Sequence, residues 1–226
     1  GVWFEAKYKR MYPYGSTACN VIGFSGDESS KGYAGIEQYY NDTLTGISGR
    51  EYGYLNDRSS LERIFKDPID GNMVVSTIDL NIQKIVEKYI NEWQNSTGSN
   101  MTAAIVMNPN NGEILAMATS RTFDLNNPRD LNPYYSQEQQ DAMDDKAKGE
   151  ALNNIWRNYT VSDTYEPGSP SKVFTVASAM EEGTINGNES YNCRGFEEIG
   201  GWKIRCANRN GHGDINVTEA LMESCN

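Results

Sequence analysis

The chain has 226 residues, which is enough for one large domain or for one domain and part of another. Hydrophobic residues make up 38% and charged residues 23%, so the composition excludes an intrinsically disordered chain. The formal net charge of -11 argues against nucleic acid or an anionic membrane surface as the main partner. No apolar run approaches the roughly 20 residues that cross a bilayer. The sequence begins Gly1-Val2-Trp3 without a signal peptide, and we expect this to be a cut end.

The N-terminal part of the chain predicts short elements joined by turns. Residues 32–44 predict a turn followed by a short amphipathic helix that ends near Gly46. Residues 50–67 are polar and irregular, with some strand character. The run Asp67-Pro68-Ile69-Asp70-Gly71 predicts a turn and marks a candidate domain boundary.

The middle of the chain predicts strands around one long helix. Met73–Ile78 is a predicted strand, and Asp79 is placed to cap the helix after it. Residues 102–107 and 112–119 predict a hairpin, whereas the polar residues 120–164 favour a long surface or functional loop. Apolar residues at helical spacing predict a stripe of the helix that is buried in a core: Ile82, Ile85, Val86, Tyr89, Ile90 and Trp93.

The C-terminal part predicts two helices on either side of a hairpin. The first helix is expected from Ser169 to Glu182. The hairpin covers residues 196–205 with Gly200-Gly201 at its turn. The second helix covers residues 217–223, and Asn216 is its predicted cap.

The four cysteines and the single histidine give no sign of a metal or cofactor site in the sequence. His212 lies in a glycine-flanked loop without a partner at ligand spacing, and the cysteines are scattered, so we expect no metal. No glycine-rich phosphate loop occurs, and we expect no cofactor. A disulfide between Cys193 and Cys206 stays open, although a two-residue turn would not place them directly opposite. Cys19 and Cys225 are predicted to be small buried residues.

A serine and a lysine at the start of the predicted 169–182 helix are the candidate catalytic residues. Ser169 and Lys172 are three residues apart, so they share a helix face, and a Pro-Gly turn precedes them. Unpaired N–H groups of the first turn favour a developing alkoxide, and a neutral lysine can remove the hydroxyl proton. This pattern indicates a serine acyl-transfer enzyme that uses lysine as the base. The alternative is a chance pair, because both residue types are common.

Further motifs resemble one family. The Ser-x-x-Lys helix start with a downstream Ser-x-Asn is similar to penicillin-binding proteins and serine beta-lactamases. Other stretches resemble the class B, monofunctional transpeptidase branch, in the order in which that branch shows them: Arg10-Met11-Tyr12-Pro13-Tyr14-Gly15, Gly35-Ile36-Glu37-Gln38-Tyr39-Tyr40, Ser76-Thr77-Ile78-Asp79-Leu80 with Gln83, Ala103-Ala104-Ile105-Val106-Met107, Gly112-Glu113-Ile114-Leu115-Ala116-Met117 and Tyr165-Glu166-Pro167-Gly168-Ser169.

The resemblance implies an α+β fold and a modular protein. Residues 1–66 would be the C-terminal part of a dimerisation-type pedestal domain. Residues 69–226 would be the N-terminal part of a transpeptidase domain that is truncated before the family's Lys-Thr-Gly motif. In this family a pedestal arginine and glutamate form a structural ion pair, and Arg10 and Glu37 stand at the matching motifs. The alternative is an exposed ion pair that contributes little to the stability of the fold.

The resemblance also implies a mechanism and partners. Ser169 would attack the penultimate D-Ala carbonyl of a peptidoglycan stem peptide, and Lys172 would deprotonate it. Ser224 would relay a proton to the leaving group, and Asn226 would position Lys172 and the substrate amide. The Ser169 N–H would supply half of the oxyanion hole. Beta-lactams would acylate Ser169 and leave slowly.

The expected location is the extracytoplasmic face of the bacterial cell membrane. The full-length protein is expected to carry a membrane anchor that this sequence lacks. A glycan-polymerising protein is an expected partner, and nucleic acid is not.

The Ser-x-Asn motif occurs twice in the sequence, so one copy has to be assigned to the site. Ser-x-Asn occurs at Ser190-Tyr191-Asn192 and at Ser224-Cys225-Asn226; we choose the second because a helix precedes it, and interpret the first as a loop.

The sequence also departs from the family pattern. The residues Pro170-Ser171 differ from the family's usual Thr-Phe, and Lys-Thr-Gly or Lys-Ser-Gly is absent from the sequence. Two alternative functions therefore stay open: a beta-lactamase or D,D-carboxypeptidase on the same fold, and a non-catalytic scaffold or beta-lactam sensor.

Overall fold

The fold was analysed in a computed structural model that describes residue 2 and residues 9–26, 31–55, 57–58 and 61–226. The chain divides into two compact units, Gly1–Asp163 and Thr164–Asn226. This division lies away from the predicted boundary between residues 66 and 69. Helices and strands mix in both units, as expected for an α+β protein. In the described part of the chain the strands form four two-stranded antiparallel sheets.

The first unit contains seven helices and two hairpins within its described residues. The helices are α1 Cys19–Ile22, α2 Gly35–Tyr39, α3 Asn41–Leu44, α4 Leu80–Thr97, α5 Gln137–Asp141, α6 Asp145–Trp156 and α7 Tyr159–Ser162. The strands are β1 Arg50–Leu55, β2 Leu61–Lys66, β3 Ala103–Met107 and β4 Ile114–Thr119, with β1 paired to β2 and β3 to β4. The predicted helix over 32–44 is therefore two short helices, and the predicted 102–119 hairpin is confirmed.

The polar stretch 120–164 contains no helix or strand over residues 120–136, and the prediction of one long loop was wrong for the largely helical part that follows. Side-chain caps at Ser136, Asp144 and Asn158 begin α5, α6 and α7. Aliphatic and aromatic residues spaced along this stretch join the N-terminal residues in a buried cluster: Tyr12, Cys19, Phe24, Phe123, Leu125, Leu131, Ala151 and Ile155. Helix capping satisfies the end N–H groups, so a stretch with few aliphatic residues can still fold when each of them is buried.

Helix α4 begins as predicted, but its packing differs from the prediction. Asp79 caps it by accepting hydrogen bonds from the N–H groups of Asn81 and Ile82. Of the predicted apolar stripe, Ile90 is buried, whereas three of the other residues are exposed: Ile85, Tyr89 and Trp93. The buried anchor is Gln83, whose side-chain amide exchanges two hydrogen bonds with the backbone of Met117, at 2.9 and 3.0 Å. An amide can pair with a strand as another strand would, which a hydrophobicity pattern does not reveal.

The strand predicted at 73–78 does not form. Met73 and Val75 are more than four-fifths exposed. Contacts to β4 are made only at and just after the end of this run, by the Thr77 hydroxyl to Ile114 O at 2.7 Å and by the Asp79 N–H to Leu115 O at 2.9 Å, among the described residues. A β-prone run remains extended coil when no neighbouring strand pairs with it.

The predicted pair of Arg10 and Glu37 is formed. Arg10 Nε donates to Glu37 Oε1 at 2.7 Å, and Glu37 is 6% exposed. A carboxylate that is removed from water requires such a partner. The pair is therefore structural rather than a loose surface contact.

The second unit contains two helices and two sheets. Its elements are α8 Ser171–Glu181, β5 Ser190–Cys193, β6 Phe196–Ile199, β7 Trp202–Arg205, β8 Gly213–Asn216 and α9 Val217–Met222. The predicted hairpin is β6–β7, with Gly200-Gly201 between the strands. Asn216 and Glu219 form a reciprocal capping box at the start of α9, as the sequence predicted for Asn216. Across the residues described, no helix combines the length and the apolarity that a membrane crossing requires.

Candidate active site

Ser169 is presented by a tight turn before α8. Gly168 has a φ of +61°, a left-handed conformation that favours glycine. The Ser171 N–H donates to Gly168 O at 3.1 Å and the Lys172 N–H to Ser169 O at 3.0 Å, so the helix begins two residues later than predicted. Ser169 is exposed, and Lys172, on the first turn of α8, is partly buried.

Lys172 and Ser169 are joined in a continuous chain of hydrogen bonds by Ser224, which is more than 50 residues away in the sequence. Lys172 Nζ donates to Ser224 Oγ at 3.1 Å and to Ser224 O at 2.6 Å. Ser224 Oγ donates to Ser169 Oγ at 2.8 Å. The sequence predicted that Lys172 reaches Ser169 along one helix face, whereas these bonds connect the two residues through Ser224.

Ser224 owes its position to the end of α9. Its N–H donates to Leu221 O at 3.2 Å, and its φ is +51°. A left-handed residue just after a helix is usually glycine, because a Cβ raises the energy by roughly 1–2 kcal/mol. A serine held in this conformation is an outlier of the kind that is concentrated at functional sites.

The two Ser-x-Asn motifs have different surroundings. Asn226 Nδ2 donates to Arg205 O at 2.8 Å, which ties the second motif to β7. Ser190 and Asn192 lie in β5, paired with β8, and Asn192 Nδ2 donates to Asp214 Oδ1 at 2.7 Å. The first motif is thus part of a sheet rather than the expected loop. The residue that reaches Lys172 is Ser224.

The arrangement can support acyl transfer to a hydroxyl. Each hydroxyl both donates and accepts, so Ser169, Ser224 and Lys172 can pass a proton in either direction. Ser169 lies next to the first turn of an 11-residue helix, where the N–H groups stabilise negative charge on oxygen. The arrangement therefore brings together a hydroxyl that could act as nucleophile, a second hydroxyl that could pass its proton and an amine that could accept it.

Sequence reasoning missed a second group of polar side chains in this unit. Cys193, Cys206, His212 and Cys225 bring their ligand atoms within 4.8 Å of one another. These four residues are far apart along the chain, and their proximity in the structure corrects the expectation that the cysteines are scattered. The one sequence feature that could have pointed to the group is Cys225, which lies between the serine and the asparagine of the chosen Ser-x-Asn motif. All four cysteines of the chain are free thiols, and Cys19 is buried as expected, whereas Cys225 is only partly buried.

Comparisons with known proteins identify the family of the chain. The family model of the penicillin-binding protein transpeptidase domain matches residues 102–226. Stage V sporulation protein D of Bacillus subtilis is 32% identical over 100% of this chain and 33% of its own length. A probable peptidoglycan D,D-transpeptidase of Pseudomonas aeruginosa, PbpC, is 29% identical over 100% of this chain and 37% of its own length.

A solved structure extends the similarity to the fold. It is a complex between a penicillin-binding protein and MreC from Helicobacter pylori, with a TM-score of 0.69 and 27% identity, covering 96% of this chain and 41% of that chain. The chain spans about a third of the length of the curated relatives named above, which it covers by 33% and 37%.

Proposed function

Because this chain belongs to the penicillin-binding protein transpeptidase domain family, we propose that it is part of a D,D-transpeptidase that cross-links peptidoglycan. The observation that carries the proposal is the chain of hydrogen bonds from Lys172 through Ser224 to Ser169. It supports the assignment of Lys172 as the base, Ser224 as the relay and Ser169 as the nucleophile of an acylation reaction.

The first half-reaction forms an ester on Ser169. Its Oγ attacks the carbonyl carbon of the penultimate D-Ala of a stem peptide. The hydroxyl proton passes through Ser224 to a neutral Lys172, and the N–H of Ser169 stabilises the oxyanion. The C–N bond then breaks, and terminal D-Ala leaves as an amine after the relay returns the proton to it.

The second half-reaction transfers the acyl group. An amine of a neighbouring stem peptide attacks the Ser169 ester, loses its proton to the relay and releases the serine hydroxyl. Asn226 is proposed to position the substrate amide, because it follows Ser224 directly in the turn and is held by Arg205 O. A beta-lactam would open on Ser169 in the same way and form a slowly hydrolysed ester.

The layout and location of the protein follow from the same proposal. Residues 69–226 would belong to the transpeptidase domain and residues 1–66 to the pedestal; the family match over 102–226 and the buried pair of Arg10 and Glu37 support these assignments. The protein would act at the extracytoplasmic face of the bacterial cell membrane. A glycan-polymerising protein is its proposed partner, and the similar penicillin-binding protein solved with MreC supports the idea that members of this family bind other proteins.

The test is the intact mass of the full-length protein after incubation with penicillin. A stable penicilloyl adduct on the unaltered protein and none on Ser169→Ala is the expected result. Rapid turnover of penicillin without an adduct would favour the hydrolase alternative. No adduct, together with unimpaired cell-wall synthesis by Ser169→Ala in cells, would favour the non-catalytic scaffold and overturn the proposal.

A further inference from the structure

Three cysteines and the only histidine of the chain converge on one point of the second unit. Cys193 ends β5, Cys206 follows β7, His212 precedes β8 and Cys225 follows α9. Their ligand atoms all lie within 4.8 Å of one another. Both sheets and the last helix of this unit therefore meet at these four side chains.

The distances match a tetrahedral metal site better than a disulfide. Cys206 Sγ is 4.0 Å from Cys225 Sγ and 3.6 Å from His212 Nδ1. A zinc ion with bonds of about 2.3 Å to sulfur and 2.0–2.1 Å to nitrogen has tetrahedral edges of about 3.8 Å between sulfurs and about 3.6 Å between sulfur and nitrogen. These two pairs are therefore close to the separations that a shared ion produces, and all four ligand atoms lie within 4.8 Å of one another.

The chemistry of the donor set favours the same ion. Three thiolates and one imidazole in tetrahedral array select zinc over the hard cations magnesium and calcium. Cys206 is 1% exposed and the other three are partly buried, so the site is nearly closed. A closed set of four protein ligands is typical of structural rather than catalytic zinc.

The four side chains lie close enough together for their charges to interact strongly. Adjacent thiolates would repel each other, and a divalent cation bound between them would remove that repulsion.

Two glycines permit the loops to approach closely enough. A Cβ on Gly211, beside His212, would lie 2.2 Å from Cys193 O, and one on Gly195 would lie 2.3 Å from Arg209 O. Both glycines have positive φ, +82° and +86°. The Cys206 N–H donates to Gly195 O at 3.0 Å, which fixes the loop after β7 against the loop after β5. The backbone is thus shaped to bring these ligands together.

We propose that Cys193, Cys206, His212 and Cys225 bind a structural zinc ion. Because Cys225 is the middle residue of Ser224-Cys225-Asn226, the ion would anchor the turn that carries the proton relay to the loops after β5 and β7. This second consequence rests on the proposed transpeptidase function, whereas zinc binding itself does not.

Metal analysis of the full-length protein, purified under reducing conditions, tests the proposal. We expect about one zinc per chain in the unaltered protein and less than about a fifth of that in Cys206→Ser and in His212→Ala. Cys19→Ala is the matched control, because it removes the one thiol outside the cluster, and it should retain the zinc. Zinc that all variants retain equally is an adventitious ion only and would overturn the site. So would a chain without zinc, or one in which two of the three cysteines are joined as a disulfide.

A second measurement does not depend on how well a variant folds. Cobalt(II) added to the metal-free, unaltered protein should produce the visible bands of a tetrahedral site with three thiolates, and one equivalent of zinc should bleach them. An octahedral spectrum would contradict the proposal. Zinc content is read separately from penicillin acylation, so a protein that holds zinc but is not acylated would refute the proposed function and leave the metal site standing.

Discussion

Lys172 donates two hydrogen bonds to Ser224, one to its carbonyl oxygen at 2.6 Å and one to its hydroxyl at 3.1 Å. The backbone contact fixes the amine beside the turn, and the hydroxyl contact connects it to Ser169. The strained conformation of Ser224, with φ at +51°, is therefore part of how the base is positioned.

Removing the base should abolish most acylation without loss of the fold. In Lys172→Ala the relay has no proton acceptor, so we expect the second-order rate constant of penicillin acylation to fall by about 100- to 10,000-fold. Stopped-flow or gel-based acylation of the full-length protein measures it. Lys203→Ala, on an exposed strand of the same unit, is the control and should acylate normally. Equal rates for Lys172→Ala and the unaltered protein would rule out the assigned base.

The two Ser-x-Asn motifs should differ sharply when each serine is removed. Ser224→Ala breaks the only relay that the described residues provide between Lys172 and Ser169, and should slow acylation by about 10- to 1,000-fold. Ser190→Ala changes an exposed residue of β5 and should have no effect on the rate. The opposite ranking would mean that the first motif, not the second, serves the site.

Gly168 should resist substitution although there is space around it. Nothing lies within 4 Å of an added Cβ, but φ is +61°. Gly168→Ala would therefore favour another turn conformation by roughly 1–2 kcal/mol and displace Ser169, so we expect slower acylation. Gly149→Ala, inside α6 and also in open space, should instead stabilise its helix by about 0.5–1 kcal/mol. Normal acylation by Gly168→Ala would contradict the expected displacement of Ser169. Hydrogen exchange in peptides from α6 measures the stabilisation expected for Gly149→Ala.

Two of the ion pairs formed by described residues of the first unit, Arg10–Glu37 and Arg63–Glu51, should contribute unequally to stability. Arg10→Ala leaves the 6% exposed Glu37 without its cation, and we expect local opening around α2 to become easier by about 1–3 kcal/mol. Arg63→Ala breaks the exposed pair with Glu51 and should cost less than about 1 kcal/mol. Hydrogen–deuterium exchange of peptides from α2 and from the β1–β2 hairpin compares the free-energy costs of the two substitutions. Equal costs would mean that Arg10 and Glu37 are only a surface pair.

Removing the proposed zinc should affect stability and acylation together. Chelation under reducing conditions releases the loops after β5 and β7 from the turn at Ser224, so hydrogen exchange in α9 should rise and acylation should slow by about 10-fold or more. Adding zinc back should restore both, whereas magnesium should restore neither. Acylation that is indifferent to chelation would separate the metal site from the relay.

Local patterns determined much of the fold before any contact was known. Asp79 and Asn216 were identified as helix caps, and the hairpins at 103–119 and 196–205 were identified from strand-prone runs around turns. Such signals act over a few residues, so they survive in any tertiary context. Long-range contacts decided the failures. Met73–Ile78 pairs with no strand among the described residues, and α6 formed where Ala151 and Ile155 reach the core that contains Tyr12 and Phe24.

From the sequence, the spacing of Ser-x-x-Lys identified Ser169 and Lys172 as candidate site residues. The resemblance to penicillin-binding proteins added Ser224 and Asn226, and the helix before the second Ser-x-Asn decided between the two copies of that motif. Only the tertiary structure decided how these residues connect: through Ser224, with Asn226 bound to Arg205 O. Likewise, three cysteines and a histidine lie at or beside the ends of four different elements, and strand pairing and close glycine contacts bring them to one point. Distances between elements depend on packing energies summed over the whole unit, which no local pattern contains.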